Sequence, residues 1–260
     1  MARIALLRVG ADSGNLGFHG PLFADGSYDY IPINEKYNQL PKNKGKEIVE
    51  TRTYGSTKSL RDKFLIDYFL GNKSEKFKNK IIHFDPEFET FTYGDPSFTK
   101  KKLGELQKDD YLLMYCSLTD QVTGITALYL FSYFCIEYSV NVTDVNSRKS
   151  MIDRGFGKNF HVMHEQIFKR DVTTERNRGL KLVKGNLEKS KVLQKPFLIS
   201  KKTRYPDGVE RFDISDEMQN ILGDFDGHIC IQRNSLRIVN DTKCVETTIE
   251  WLKTLPALNL

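Results

Sequence analysis

A glycine-rich loop follows the first apolar run of the chain and carries charged side chains. Four glycines fall within residues 10–20, so their backbone N–H groups can approach a ligand closely. The glycine spacing matches neither the Walker loop nor the dinucleotide fingerprint. We expect Arg8 to hold a phosphate or carboxylate, Asp12 to act as a base or ligand anchor, and Gly10, Gly14 and Asp25 to bind substrate. A tight surface turn stabilised by its own Asp and Asn side chains is the structural alternative.

A second group of polar residues surrounds a short apolar run that ends at Pro86. On a strand, His83 and Asp85 would point to the same side, where the carboxylate could orient or charge the imidazole. We therefore expect His83 to carry a proton and Asp85 or Asp95 to give acid–base or electrostatic assistance, with Tyr93 in the substrate site. The alternative is a His–Asp pair that only caps the end of a strand.

A third group contains two histidines three residues apart, His161 and His164. At this spacing they could share a helical face and bind a metal ion. No third ligand follows at a recognisable spacing. The sequence therefore leads us to expect no metal site, and we assign His161 to substrate binding.

The strands that would position these residues are dense in apolar and β-branched side chains. Residues 4–9 predict a buried opening strand, and residues 111–116 and 128–140 predict two further strands. Strands and helices do not alternate regularly, which argues against a doubly wound sheet. We predict an α+β fold, with residues 1–260 forming one domain around a mixed or antiparallel sheet.

Helical spacing of apolar residues predicts one helix from Ser59 to Gly71 and a closing helix over residues 245–255. The first begins with a capping-box spacing and ends at a glycine. Residues 228–232 and 235–239 are predicted to pair as a hairpin.

Composition places the chain among ordinary globular proteins. Of its 260 residues, 39% are hydrophobic and 28% charged, which excludes a wholly disordered chain, a collagen-like repeat and a coiled coil. The net charge of +5 is unevenly distributed, since residues 169–204 hold twelve Lys/Arg against three acids. This segment could follow the phosphates of a nucleic acid, or it could be a solvated surface.

Neither export nor membrane insertion is indicated. Arg8 interrupts the N-terminal apolar run, and the longest apolar stretch, residues 128–140, is too short to span a bilayer. The four cysteines are widely spaced without a paired motif, so we expect reduced thiols. These features predict a cytoplasmic protein that does not associate with membranes.

Several short blocks resemble the nucleotide-modification-associated domain families, and most of all the third. They are residues 8–13, 25–27, 31–33, 83–86, 93–95, 182–185, 197–200 and 232–237. The resemblance implies an α+β domain associated with base modification of DNA or RNA in bacteria, archaea and phages. Lys184 lies in one of these blocks and is assigned to the substrate site.

Residues 103–115 resemble the turn-into-strand segment of the pseudouridine-synthase-and-archaeosine-transglycosylase (PUA)-like domains, which adds the option that half of the fold is barrel-like. Bases could then stack on a set of tyrosines, although packing in the core is the alternative for these residues. The set comprises Tyr111, Tyr115, Tyr129 and Tyr133.

The functional hypothesis from the sequence is an enzyme that acts on a base or nucleotide during DNA or RNA modification, with its cofactor left open. One alternative is a module that binds modified bases or nucleic acid without a reaction. Another is a partner subunit in a modification or defence operon. The partner expected in the first two cases is a nucleotide or nucleic acid.

Overall fold

A computed structural model of the protein describes residues 2–11, 16–35, 52–174, 178–232 and 236–258. The strands are β1 (Ile4–Arg8), β2 (Gly20–Leu22), β3 (Ile33–Asn34), β4 (Ile82–His83), β5 (Thr92–Asp95), β6 (Tyr111–Asp120), β7 (Thr126–Val142), β8 (Leu180–Gly185), β9 (Lys191–Leu198), β10 (Ser200–Arg204), β11 (Glu210–Ile214) and β12 (Arg237–Val239). The α-helices are α1 (Asn72–Phe77), α2 (Arg148–Met151), α3 (Phe160–Met163), α4 (Glu165–Thr173), α5 (Asp216–Leu222) and α6 (Thr242–Thr254). Shorter 3₁₀ turns occupy Leu65–Tyr68, Phe98–Glu105 and Val145–Ser147, and a π-helical turn occupies Ile152–Phe156.

The described residues contain one eight-stranded sheet, in the order β12-β1-β6-β7-β8-β5, with β2 beside β6 and β9 beside β7. Strands β1 and β6 are parallel, whereas β6–β7, β7–β8 and β8–β5 are antiparallel. The predicted α+β fold around a mixed sheet is therefore confirmed. Within the described ranges the sheet path ends at β12 and β5 without closing, so the barrel-like option is not realised as a closed barrel.

Strand β1 is buried on both faces, which explains its uninterrupted apolar sequence. Ala5 and Leu7 pack in one core cluster, which also contains the buried thiol of Cys116. Ile4 and Leu6 point to the other face, where α5 and α6 cover the sheet. No helix in the described part of the chain is long and apolar enough to cross a membrane.

Strand β7 is longer than the sequence predicts and carries the register shifts that bend the sheet. It pairs with β6 and β9 over its first part and with β8 over its second part. Shifts in register near residues 131 and 137 mark irregularities of the kind that kink a strand. As a result β8 and its neighbour β5 extend from the far half of β7, and β5 forms an edge of the sheet.

Two sequence predictions of secondary structure are wrong. Residues 59–71 do not form one continuous helix, because Ser59 and Lys63 form a tight turn in which Asp62 adopts a φ of 61°, and the 3₁₀ turn Leu65–Tyr68 is the helical part of this segment. The apolar residues at helical spacing belong to two different hydrophobic clusters. Leu60 packs against one cluster, whereas Phe69 is part of another. The segment after residue 235 does not form a hairpin with 228–232, since β12 pairs with β1.

Candidate functional site

Three polar side chains from two distant parts of the chain meet at one point. The Nε2 atoms of His83 and His161 are 3.0 Å apart. Oδ2 of Asp85 lies 3.4 Å from Nε2 of His161 and 3.9 Å from Nε2 of His83. The side chains of His161 and Asp85 are 1% and 2% exposed, whereas that of His83 is 19% exposed. The group, named here the His–Asp cluster, therefore meets solvent through His83.

Asp85 reaches the cluster from a turn and not from the strand that the sequence predicts. Strand β4 ends at His83, and the Asp85 N–H donates to the His83 carbonyl at 2.9 Å. Its Oδ2 accepts a hydrogen bond from the Gly94 N–H of edge strand β5 at 2.8 Å. The Tyr30 hydroxyl donates to the Asp85 carbonyl at 3.0 Å. An edge strand has N–H groups that no neighbouring strand satisfies, and here one of them fixes the carboxylate.

His161 is held by the start of helix α3 and by the absence of a side chain on β5. The Asn159 side chain caps the helix by accepting from the His161 N–H at 3.1 Å, and its Nδ2 donates to Oδ1 of Asp85 at 3.4 Å. A Cβ atom on Gly94 would lie 2.5 Å from Cδ2 of His161. Real Cβ atoms essentially never come so close. Glycine at position 94 thus lets the imidazole lie directly against the strand.

A carboxylate behind His161 fixes the ring from its other nitrogen. Nδ1 of His161 lies 2.6 Å from Oδ2 of Asp171 on α4, and Arg170 donates to Oδ1 of the same carboxylate at 2.7 Å. Burial alone would lower the pKa of His161, but hydrogen bonds to Asp171 and Asp85 raise it to about 10. Burial also opposes ionisation of Asp171, whose pKa is nevertheless lowered by His161 and Arg170. For Asp85 burial prevails, so its pKa is raised.

His83 is fixed by an aromatic ring and by a second carboxylate. Its imidazole stacks on Phe160, with ring centroids 4.2 Å apart. Its Nδ1 lies 3.5 Å from Oε2 of the buried Glu35, and Oε1 of Glu35 lies 3.9 Å from Arg170. Both imidazoles therefore turn Nδ1 toward a carboxylate and Nε2 toward the common centre.

A cavity of about 320 Å³ is lined in part by Phe84, the residue between His83 and Asp85, and by no member of the cluster itself. Its aromatic walls are Tyr30, Phe84 and Phe88, and its polar lining includes Lys58, Asp62, Glu87 and Glu89. The volume lies at the lower end of the range of about 300–1,000 Å³ that is usual for small-molecule sites. The Tyr30 hydroxyl links this wall to the backbone of Asp85.

Asp95 and Tyr93 lie on β5 but belong to a separate buried group. Nζ of Lys100 lies 2.6 Å from Oδ2 of Asp95, and the Tyr93 hydroxyl donates to the same oxygen at 3.0 Å. Burial would raise the pKa of Asp95, but Lys100 and Ser97 hold it below its usual value. This pairing accounts for the buried charges. The roles of Asp95 in catalysis and Tyr93 in substrate binding stay predictions.

The structure gives Arg8 partners outside the His–Asp cluster. Its guanidinium donates to the carbonyl of Gln232 and, at 2.8 Å, to Oγ of Ser117. Gly10 has a φ of 84°, and a Cβ there would lie 2.6 Å from the Tyr30 ring, so both its backbone conformation and its close packing require glycine. Asp12 and Gly14 lie outside the described residues. Their contribution to the site, like that of Arg8, stays a prediction.

The other predicted binding residues are also placed apart from the cluster. Asp25 is exposed and accepts from the Ser27 N–H at 2.9 Å in a local turn. Lys184 lies on β8, and its Nζ is 3.1 Å from Oε1 of Glu137. Within the basic segment, Lys189 and Lys201 also have carboxylate partners. Substrate binding by Asp25 and Lys184, and nucleic-acid binding by this segment, stay predictions.

The tyrosines considered for base stacking divide into two kinds. Tyr115 and Tyr133 are buried, and their hydroxyls donate to the carbonyls of Ile231 and Leu252. Tyr111 and Tyr129 are partly exposed beside the core clusters. Packing in the core therefore accounts for the first pair, and these rings have no face open to a base.

Some residues of the site do not stand out in the sequence. His161 shares its group of converging ligand atoms with His83 and Asp85, and His164 is not part of that group. Asp171 is one of three acids in a strongly basic segment, and its position ten residues after His161 is the one signal that could have identified it. Glu35 and Gly94 give no such signal, because their contacts depend on the folded sheet.

One comparison with known proteins finds a match. A family model described as nucleotide modification associated domain 3 matches residues 3–214, which include every member of the His–Asp cluster. No curated protein and no solved structure shows significant similarity to the chain.

Proposed function

Because this chain belongs to the nucleotide modification associated domain 3 family, we propose that it is an enzyme acting on a base or nucleotide in nucleic-acid modification. Family membership supplies the role in nucleotide modification. The observation that supports an enzyme is the His–Asp cluster. In it, two imidazole nitrogens and one carboxylate oxygen converge within 3.9 Å.

Burying charged groups is costly unless they are paired and hydrogen-bonded, and Asp85 and His161 meet that condition. Apolar side chains of similar volume can fill a core equally well, so buried polar groups at this place support a role beyond packing. Polar side chains with perturbed pKa values beside a cavity are a common sign of a reactive centre. In the proposal, the cluster binds and activates the reacting group, and the partly exposed His83 faces the substrate.

The adjoining cavity supplies room for the substrate. Its volume of about 320 Å³ suits a nucleobase or a nucleoside, and flat aromatic walls suit stacking on a base. Phe84 lines the cavity and lies in sequence between His83 and Asp85. In the proposal, a base held in the cavity extends past Phe84, so that its reacting group meets the cluster.

The experiment compares modified nucleosides in the native host, with the gene deleted and then restored. Nucleosides from DNA, from RNA and from the free pool are measured separately by mass spectrometry. We expect deletion to change one nucleoside, the wild-type gene to restore it, and Asp85→Asn not to restore it. The matched control is Asp216→Asn, which alters an exposed carboxylate paired with Lys201 and should restore it fully.

Two outcomes would contradict the proposal. If deletion leaves all three nucleoside fractions unchanged, the protein has no modifying role in that host. If Asp85→Asn restores the nucleoside as well as wild type does, the cluster is not the reactive centre. The aromatic cavity would also suit a module that binds a modified base without reacting, and such a module would give the first outcome together with selective binding of modified oligonucleotides.

A further inference from the structure

We infer that His83, Asp85 and His161 together bind one divalent first-row transition-metal ion. The binding itself stands on the geometry of the three side chains. Its use in catalysis rests on the function proposed above, because only that proposal makes the cluster a reactive centre.

The positions of the three donor atoms fit a single ion. Their separations of 3.0, 3.4 and 3.9 Å form a triangle. A triangle with these sides has a circumradius of about 2.0 Å, so one point lies at that distance from all three atoms. Zinc-like ions bind histidine nitrogen and carboxylate oxygen at about 2.0–2.2 Å. An ion close to the plane of the three atoms would reach each of them without a movement of the backbone.

The types of donor narrow the choice of ion. His83 and His161 offer imidazole nitrogens, which suit zinc, iron, cobalt and nickel, while Asp85 offers one carboxylate oxygen. Magnesium and calcium prefer sets made of oxygen alone. Three protein ligands leave a coordination position for water or substrate, which is the usual arrangement of a catalytic metal site.

The surroundings prepare the two imidazoles for coordination. Asp171 lies 2.6 Å from Nδ1 of His161, and Glu35 lies 3.5 Å from Nδ1 of His83. A carboxylate at Nδ1 fixes the ring and makes its Nε2 a better ligand, which is the recurrent second layer of histidine metal sites. The Gly94 N–H fixes the coordinating oxygen of Asp85 in the same way.

Formal charge in the site also favours a divalent cation. Among the described residues, the carboxylates of Asp85, Asp171 and Glu35 lie in or beside the cluster, and the Arg170 guanidinium pairs with the last two. Coordination through Nε2 requires neutral imidazoles, so a divalent ion would supply positive charge beside these carboxylates.

This inference replaces the expectation of no metal site. That expectation came from the lack of a third ligand near His161 and His164 in the sequence. The fold supplies the missing ligands from His83 and Asp85, 78 and 76 residues before His161.

The test titrates Co²⁺ and Zn²⁺ into full-length protein that has been freed of metal with a chelator. We expect one ion per chain by calorimetry, a visible absorption band from Co²⁺, and loss of that band when Zn²⁺ is added. An excess of Mg²⁺ should not displace Co²⁺. Absence of stoichiometric binding to the wild-type protein would overturn the inference.

Variants locate the site. His83→Ala, which changes the most exposed ligand, and Asp85→Asn should each weaken binding at least 100-fold, while His228→Ala, at an exposed histidine outside the cluster, should bind as wild type does. Circular dichroism and thermal melting confirm that each variant is folded. Unchanged affinity in folded His83→Ala and Asp85→Asn would overturn the assignment.

The metal titration and the nucleoside experiment can fail separately. Stoichiometric binding that is lost in Asp85→Asn, together with a nucleoside that this variant restores, would retain the metal site and reject the proposed function. A nucleoside that Asp85→Asn fails to restore, together with no metal binding by wild type, would retain the function and reject the metal site.

Discussion

The Nε2 atom of His83 lies 3.0 Å from the Nε2 atom of His161, although 78 residues separate them in the chain. His83 is the last residue of the short strand β4, and His161 lies in the first turn of helix α3. Gly94 of edge strand β5 lies against the His161 ring. The site therefore depends on how three separate elements pack, and changes to the packing residues should also affect it.

Replacing Gly94 should disrupt the site although the substitution changes no titratable residue. Gly94→Ala places a Cβ 2.5 Å from the His161 ring, which Asn159 and Asp171 hold in place. We expect a loss of about 1–3 kcal/mol in the free energy of unfolding, as for overpacked cores, and at least a tenfold loss of activity. Urea denaturation and nucleoside analysis measure the two effects.

The control for this substitution is Gly157→Ala, whose Cβ would make an ordinary contact at 3.5 Å with Ile152. It should leave both quantities close to those of wild type. Full activity in Gly94→Ala would show that close packing of His161 on β5 is unimportant.

Removing the charge of Asp171 should weaken the site while leaving the three converging atoms intact. Asp171→Asn loses the carboxylate that holds Nδ1 of His161 at 2.6 Å. We expect a 10–100-fold loss of activity or metal affinity, the range found when such supporting groups are altered. NMR titration of the metal-free protein should also show the pKa of His161 falling from about 10. An unchanged pKa would mean that Asp171 does not act on this imidazole.

Shortening Phe84 tests the cavity. Phe84→Ala removes an aromatic wall beside the cluster, and stacking of a base on such a ring contributes about 1–3 kcal/mol. Binding of the affected nucleoside, measured by calorimetry, should weaken by roughly tenfold or more. Phe98→Ala, at a ring 41% exposed and outside the cavity lining, is the matched control. Equal affinity in both variants would place the substrate elsewhere.

The buried pair of Asp95 and Lys100 should make stability depend on pH. The folded-state pKa of Asp95 is lowered, so its contribution is present above the unfolded pKa of about 3.9 and is lost as pH falls through the lower folded value. Lys100→Met removes the cation that hydrogen-bonds to the buried carboxylate, which should cost about 3–5 kcal/mol near neutral pH.

In Lys100→Met, protonation of Asp95 removes the uncompensated charge. The stability difference from wild type should therefore shrink as pH falls from 7 toward 4, as measured by urea denaturation at each pH. A difference that is constant with pH would show that Lys100 does not stabilise the Asp95 carboxylate.

Part of the fold follows directly from the sequence. Strands β1, β6 and β7 are predicted by their apolar runs, which are nearly continuous because both faces of the sheet are covered. The closing helix is predicted by its apolar spacing and corresponds to α6, with Asp241 as its N-cap. The order of the strands does not follow, because β1 lies between β6 and β12, its partners from residues more than 100 positions later.

The candidate site could be predicted only in part for a similar reason. His83 and Asp85 are two residues apart and their chemistry is visible in the sequence, whereas their third partner, His161, comes from a different motif. Gly94 lies between Tyr93 and Asp95, and its contact with the His161 ring becomes clear only when α3 packs against β5.

Whether the His–Asp cluster is the reactive centre is decided by the amount of the affected nucleoside in a deletion strain carrying His83→Ala or His228→Ala. The strain with His83→Ala should resemble the deletion strain, while the strain with His228→Ala should resemble the wild type at equal protein levels. Restoration of the nucleoside by folded His83→Ala would show that the cluster is not the reactive centre.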